Sequence, residues 1–230
     1  MKPIVINGLA SALLAMATAG AAAAASPAAV VEEVADKSAD VEEMEFVAAG
    51  QVIRLAAGGR LVLGYLASCV REEITGGTVT IGENESTVAG GKVERGKTPC
   101  AGTQLALSDR QTRSSGVVVF RAPPTAAKPA ATPEPAYTLY GTAPLVELGT
   151  AGTLVLERLD TPGERQEIAI PEAGLRRGAF YDFAATDTAL AAGGLYRARF
   201  GTREVVFKVD PLAKAGKSPL VGRLLRFPAS

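Results

Sequence analysis

Arg60-Leu-Val-Leu-Gly-Tyr-Leu-Ala-Ser-Cys69 and the run behind it, Val70-Arg-Glu-Glu-Ile-Thr-Gly-Gly-Thr-Val-Thr-Ile81, read as extended chain. Leu61, Leu63 and Tyr65 share one face of a strand, and Val62 and Leu66 the other. Both faces are apolar, which suits a strand covered on both sides. In Thr78–Ile81, Val79 and Ile81 alternate with threonines, so one face is buried and the other wet. Gly76-Gly77 supplies the positive φ of a two-residue hairpin turn. Ser86–Ala89, Gly90-Gly91 and Lys92–Arg95 repeat that pattern, with Glu83-Asn84-Glu85 as the turn between. The reading is an antiparallel meander.

The only two cysteines, Cys69 and Cys100, bracket this meander 31 residues apart. A redox pair lies closer in sequence, as in Cys-x-x-Cys, and a zinc site needs four ligands. A structural disulfide is therefore expected. Strand candidates at Gly50–Leu55, Gln104–Ser108 and Gly116–Phe120 complete a first domain over residues 44–121.

Outward from it, Met1–Ala25 has the form of a secretory leader, with Lys2, an apolar Leu9–Met16 and small-residue cleavage options before Ser26. The rival reading, a retained membrane anchor, suffers from an alanine-dominated run of low hydrophobicity. Periplasmic or secreted localisation follows, and an oxidising compartment fits the lone cysteine pair. No later segment is long and apolar enough to span a bilayer. Residues 26–43 read as an acidic arm, either helical, with Ser26-Pro27 opening the helix, or disordered.

Ala122–Ala136 holds five prolines in fifteen residues and reads as a semi-rigid linker. Beyond it, residues 137–228 carry about seven short strands with regular turn signals, the pattern of a two-sheet sandwich. Strands are expected at Thr138–Tyr140, Leu145–Leu148, Thr153–Leu159, Gln166–Ile170, Ala179–Ala184, Leu195–Gly201 and Glu204–Val209. The tail, Pro219–Pro228, reads as a last strand or an apolar segment lying along the domain. The fold class is all-β: a small disulfide-pinned domain followed by a sandwich.

The run Gly50-x-x-Ile-x-Leu-x-x-Gly-Gly-x-Leu-x-Leu63, followed by Ile74-Thr-Gly-Gly-x-Val-x-Ile81, resembles the β-rich periplasmic domain of FecR-like proteins. Leu190-x-x-Gly-Gly-x-Tyr-x-Ala-x-Phe200 is similar to a segment of immunoglobulin-like and fibronectin type III domains. FecR regulators also carry a membrane span and a cytoplasmic segment that engages a sigma factor. This sequence matches neither, so the resemblance implies an exported β module that binds something.

Histidine and tryptophan are absent from the 230 residues, which excludes Ser-His-Asp and Cys-His catalysis and His-ligated metals. No cofactor is implied. Glu72 and Glu73, as strand neighbours, point to opposite faces and read as surface charges. Asp160, Glu164, Glu167, Asp182 and Asp187 supply carboxylates without a spacing that demands a glycosidase pair. Asp182–Asp187 also lacks the pattern of a calcium loop. Asn84-Glu85-Ser86 matches a glycosylation sequon but reads as an ordinary turn.

Net charge is zero, yet segregated. Seven acids lie between Glu32 and Glu45, and eight bases between Arg197 and Arg226. These are either two solvated surfaces, or an acidic arm that docks on the basic region, or a basic region that meets an anionic partner. Arg176-Arg177 is a further anion candidate, and Leu220–Phe227 a candidate membrane-surface segment. Nucleic acid is not expected. The functional expectation is a non-enzymatic interaction or assembly module of the bacterial cell envelope, its partner an envelope protein or an anionic surface polymer. The alternative is a carboxylate-dependent hydrolase of envelope glycans.

Overall fold

A computed structural model describes residues 26–102, 133–186 and 188–228. The expected leader, the strand candidates at Gln104–Ser108 and Gly116–Phe120, most of the expected linker and Asp187 lie outside the described residues.

The first sheet contains β1 (Pro27–Val34), β2 (Phe46–Ala48), β3 (Val52–Tyr65), β4 (Val70–Thr80), β5 (Thr87–Ala89) and β6 (Lys92–Lys97). Its order is β2-β1-β3-β4, with β5 and β6 both on the far edge of β4, and every pairing is antiparallel. The first half of the arm is thus neither helix nor disorder but a strand between two others. The reason is its run of small and β-branched residues with both faces covered. Ala29 and Val31 face the core of the first unit, while Val30 joins that of the second. The same holds at the end of β3, where Leu63 and Tyr65 face one core and Leu66 the other.

The glycine pairs do not reverse the chain. β3 and β4 run through Gly58-Gly59 and Gly76-Gly77, and β5 and β6 continue one another along β4 on either side of Gly90-Gly91. Register shows why. Leu55 pairs with Gly77 and Arg60 with Thr75, so four residues of β3 oppose Gly76 alone. Thr78 pairs with Ala89 and Thr75 with Lys92, which sets Gly76-Gly77 against Gly90-Gly91. The three glycine pairs form one crease across the sheet. A Cβ on Gly77 would lie 2.6 Å from the Gly91 nitrogen, so the strands approach there as only glycine permits. The crease also shifts side-chain parity, which lets Ile74, Val79 and Ile81 enter the same core.

Cys69 and Cys100 are bonded, with their Cα atoms 5.7 Å apart. The bridge ties the β3–β4 turn, where Cys69 takes φ 54°, to the chain leaving β6. Reduction, or Cys69→Ser with Cys100→Ser, should cost about 3–4 kcal/mol for a loop of this length. Urea midpoints with and without reductant measure it; an unchanged midpoint would show that the bridge constrains nothing in the unfolded chain.

The second unit has β7 (Tyr137–Gly141), β8 (Leu145–Glu147), β9 (Gly152–Arg158), β10 (Arg165–Ile170), β11 (Phe180–Asp182), β12 (Leu195–Phe200), β13 (Arg203–Lys214) and β14 (Leu224–Arg226). They form a five-stranded sheet, β10-β9-β12-β13-β7, and a three-stranded one, β11-β8-β14. Residues from both sheets share one core, among them Leu145, Leu154, Phe207 and Leu225. All seven expected strands are present, and the tail supplies an eighth, β14, parallel to β8. Arg223, Leu224, Leu225 and Arg226 are buried there, so this stretch is part of the core and not a membrane-surface segment.

The two units are not held apart. Val30, Met44 and Leu66 of the first pack into the core of the second, each nearly or fully buried. Burial of an aliphatic side chain of this kind is worth roughly 1.5–3 kcal/mol. Glu42, Glu43 and Glu45 meet Arg177 and Arg176 across the junction. The acidic arm therefore does dock on the second unit, through the Arg176-Arg177 turn. Arg226 adds a contact, its guanidinium 5.0 Å from the centre of the Phe46 ring.

Candidate functional site

Where β4 and β6 pass beneath the Ser218-Pro219 segment of the second unit, an open cavity of about 470 Å³ lies on the outer face of the first sheet. Arg71 and Glu73 line it from β4, and Glu94, Gly96 and Lys97 from β6. The register pairs Arg71 with Gly96 and Glu73 with Glu94, so these four residues share one face.

Arg71 is held from behind. Its Nε donates to Glu32 Oε2 at 2.9 Å. Glu32, whose side chain is 1% exposed, also accepts from the Leu220 backbone N–H at 2.9 Å and from Ser218 Oγ at 3.3 Å. Gly64 permits this, because a Cβ there would meet Glu32 Oε1 and Val221 Cγ1. One buried carboxylate thus fixes the Arg71 fork and the rim of the cavity together. Across the strand, Lys97 Nζ donates to Ser68 O at 2.8 Å, and Arg95 Nε to Glu72 at 2.7 Å.

Glu72 corrects its sequence reading: it is fully buried, not a surface charge. Arg95, the Ser86 N–H and the Ser86 hydroxyl satisfy it. Ser86 is accordingly a buried partner of Glu72, on a turn where Asn84 O accepts from Ser68 Oγ. Burial, with the Glu72 charge, raises the pKa of the neighbouring Tyr65 phenol. Glu73 does point to the opposite, outer face. The hydrogen bond from Arg60 Nε, at 2.8 Å, lowers its pKa below the usual carboxylate value.

The remaining carboxylates do not converge. Asp160 and Glu164 hold Arg158, and Glu167 pairs with Arg165 on the β9–β10 hairpin. Asp182 is buried against Arg223, which reaches both its oxygens, and Arg176 adds a longer contact to Oδ2. Among the described residues no group of three His, Cys, Asp or Glu side chains is placed to hold a metal ion, and no helix is long and apolar enough to cross a membrane.

The outer edge of β6 completes the site. Thr98 N–H donates to Cys69 O, so the alternation of an antiparallel ladder turns the N–H and C=O of Val93, Arg95 and Lys97 away from β4. Among the described residues no strand pairs with that edge. Sequence reading singles out the bridge cysteines beside this site but misses Glu32, Arg71 and Gly96. A buried glutamate in an acidic run carries no local mark, and the one signal within reach is a glycine inside the charged β6 segment. No protein-family model matches the chain, and comparison with curated proteins and with solved structures finds no match.

Proposed function

We propose that this protein is a non-enzymatic interaction module of the bacterial cell envelope, exported in the manner its leader-like N-terminus suggests. The observation that carries this reading is the edge of β6 with which, among the described residues, no strand pairs, beside a charged cavity at the junction of two β units. An unpaired strand edge offers a row of backbone donors and acceptors, and a rigid sheet holds them in place. The cavity mixes cations with Glu73 and Glu94, which fits a protein partner better than a uniformly anionic polymer.

A second reading, hydrolysis of envelope glycans, draws on Glu73 and Glu94, paired directly across β4 and β6. Such chemistry needs one carboxyl kept protonated as the general acid. Arg60 moves Glu73 the opposite way.

Affinity capture with the full chain from envelope extract, oxidised and then reduced, tests the proposal. A protein partner retained by the oxidised form and released on reduction is expected, since Cys100 closes the segment leaving β6. Recovery of glycan alone, with turnover abolished by Glu94→Gln, would replace the module reading with the hydrolase. Recovery of nothing would count against the module.

A further inference from the structure

Resting on the interaction-module reading, we propose that the partner enters as an extended peptide added antiparallel to the outer edge of β6. An acidic side chain of that peptide sits over Gly96 on Arg71, and a basic side chain two residues later faces Glu94.

Three independent observations meet at this place. The first is Gly96. It lies inside a strand, without positive φ, and a Cβ built on it meets nothing within 4 Å. Neither backbone conformation nor packing calls for glycine, and glycine weakens a strand relative to almost any other residue. What its hydrogen achieves is a bare floor beside Arg71 in the cavity lining, over which another chain can pass closely.

The second is the Arg71 fork. Nε is committed to buried Glu32, and among the described residues neither Nη atom has an acceptor. A guanidinium fixed on one side and open on the other is preorganised for a planar carboxylate, which accepts two parallel N–H bonds. Glu32 holds this orientation through the second unit, so the docking geometry depends on both units being joined.

The third is charge order along β6. Lys92, Glu94, Arg95 and Lys97 discourage pairing with an apolar strand, as charged edges do. They do not discourage a strand of complementary order. Side chains on one face of an added strand recur every second residue. In the antiparallel sense, a residue opposite Gly96 is followed two positions later by one opposite Glu94. The matching sequence is therefore acid-x-base, read from the partner's N-terminus. A polyanion would meet Glu73 and Glu94, and a polycation would meet Arg71, Arg95 and Lys97.

The test is a titration of the full chain with the peptide Ac-Thr-Thr-Glu-Thr-Lys-Thr-Thr-NH2, followed by NMR of the backbone amides. The charge-exchanged peptide Ac-Thr-Thr-Lys-Thr-Glu-Thr-Thr-NH2 serves as control. The first should shift and protect the amides of Val93, Arg95 and Lys97, and bind about tenfold more tightly than the control, in which both charges meet a like charge. Gly96→Thr should weaken binding at least tenfold while raising Tm by about 1–4 °C, because a β-branched residue suits the strand. Arg71→Lys, which keeps the charge and the Glu32 pair but loses the fork, should weaken binding while leaving Tm nearly unchanged. Equal binding of the two peptides, or binding unaffected by Gly96→Thr, would overturn the proposal. So would absence of peptide binding together with equal capture of an envelope partner by wild type and Gly96→Thr. That last result would leave the interaction role standing at another surface.

Discussion

Arg223→Met should destabilise the protein by about 3–5 kcal/mol, the cost of leaving a buried charge without its partner. Arg223 is 2% exposed and uses its whole guanidinium. Nη1 and Nη2 reach the two oxygens of Asp182 at 2.6 and 3.3 Å. Nη1 also donates to Ala143 O, and Nε to Lys217 O at 2.7 Å. Methionine fills much of the volume but leaves Asp182 with the long contact from Arg176 and one backbone N–H. It also takes away the guanidinium donors that the Ala143 and Lys217 carbonyls accept. Against a typical domain stability of about 5–15 kcal/mol, this loss is large. Urea unfolding gives the number. The double variant Asp182→Leu with Arg223→Met should lose less than the two single variants together, because neither then strands a charge. Strict additivity would show that the pair does not act as a unit.

Gly91→Val should cost about 4 kcal/mol or more, beyond the range of an ordinary glycine substitution. A Cβ there would lie 2.8 Å from the Gly76 carbonyl carbon and 2.9 Å from Thr75 O, with Gly76 O nearer still. These are backbone atoms of a paired strand, so relief requires opening the crease. The neighbour is the control. Gly90 has φ +69°, and a Cβ on it would meet nothing within 4 Å. Gly90→Ala should therefore cost only the left-handed backbone penalty of about 1–2 kcal/mol. If the two substitutions cost the same, the glycines serve turn conformation alone and the crease is not held by close approach.

These two residues mark where sequence reading succeeds and where it stops. Gly-Gly pairs are visible in the sequence as positions of special backbone, and Gly58, Gly76, Gly77, Gly90 and Gly193 do carry positive φ. What the first three pairs do with that freedom is not visible there. Positive φ serves a reversal and a bulge equally well, and only the register of β3, β4, β5 and β6 distinguishes them. By sequence, Asp182 is a carboxylate near a strand end and Arg223 a cation in the tail. Nothing local to either points to the other, 41 residues away.

All-β class, the strands of the second unit and the cysteine bridge follow from local pattern: alternation with period two, turn residues at short intervals, and a single possible pairing of two cysteines. Such features depend on neighbours in the chain, so the sequence by itself determines them. The place of β1 between two cores, the burial of Glu32 and Glu72, the docking of Glu42 on Arg177 and the cavity over Gly96 depend on residues far apart in the chain. A glutamate is buried only when the fold brings it an arginine and free backbone donors, and that meeting is decided by tertiary structure.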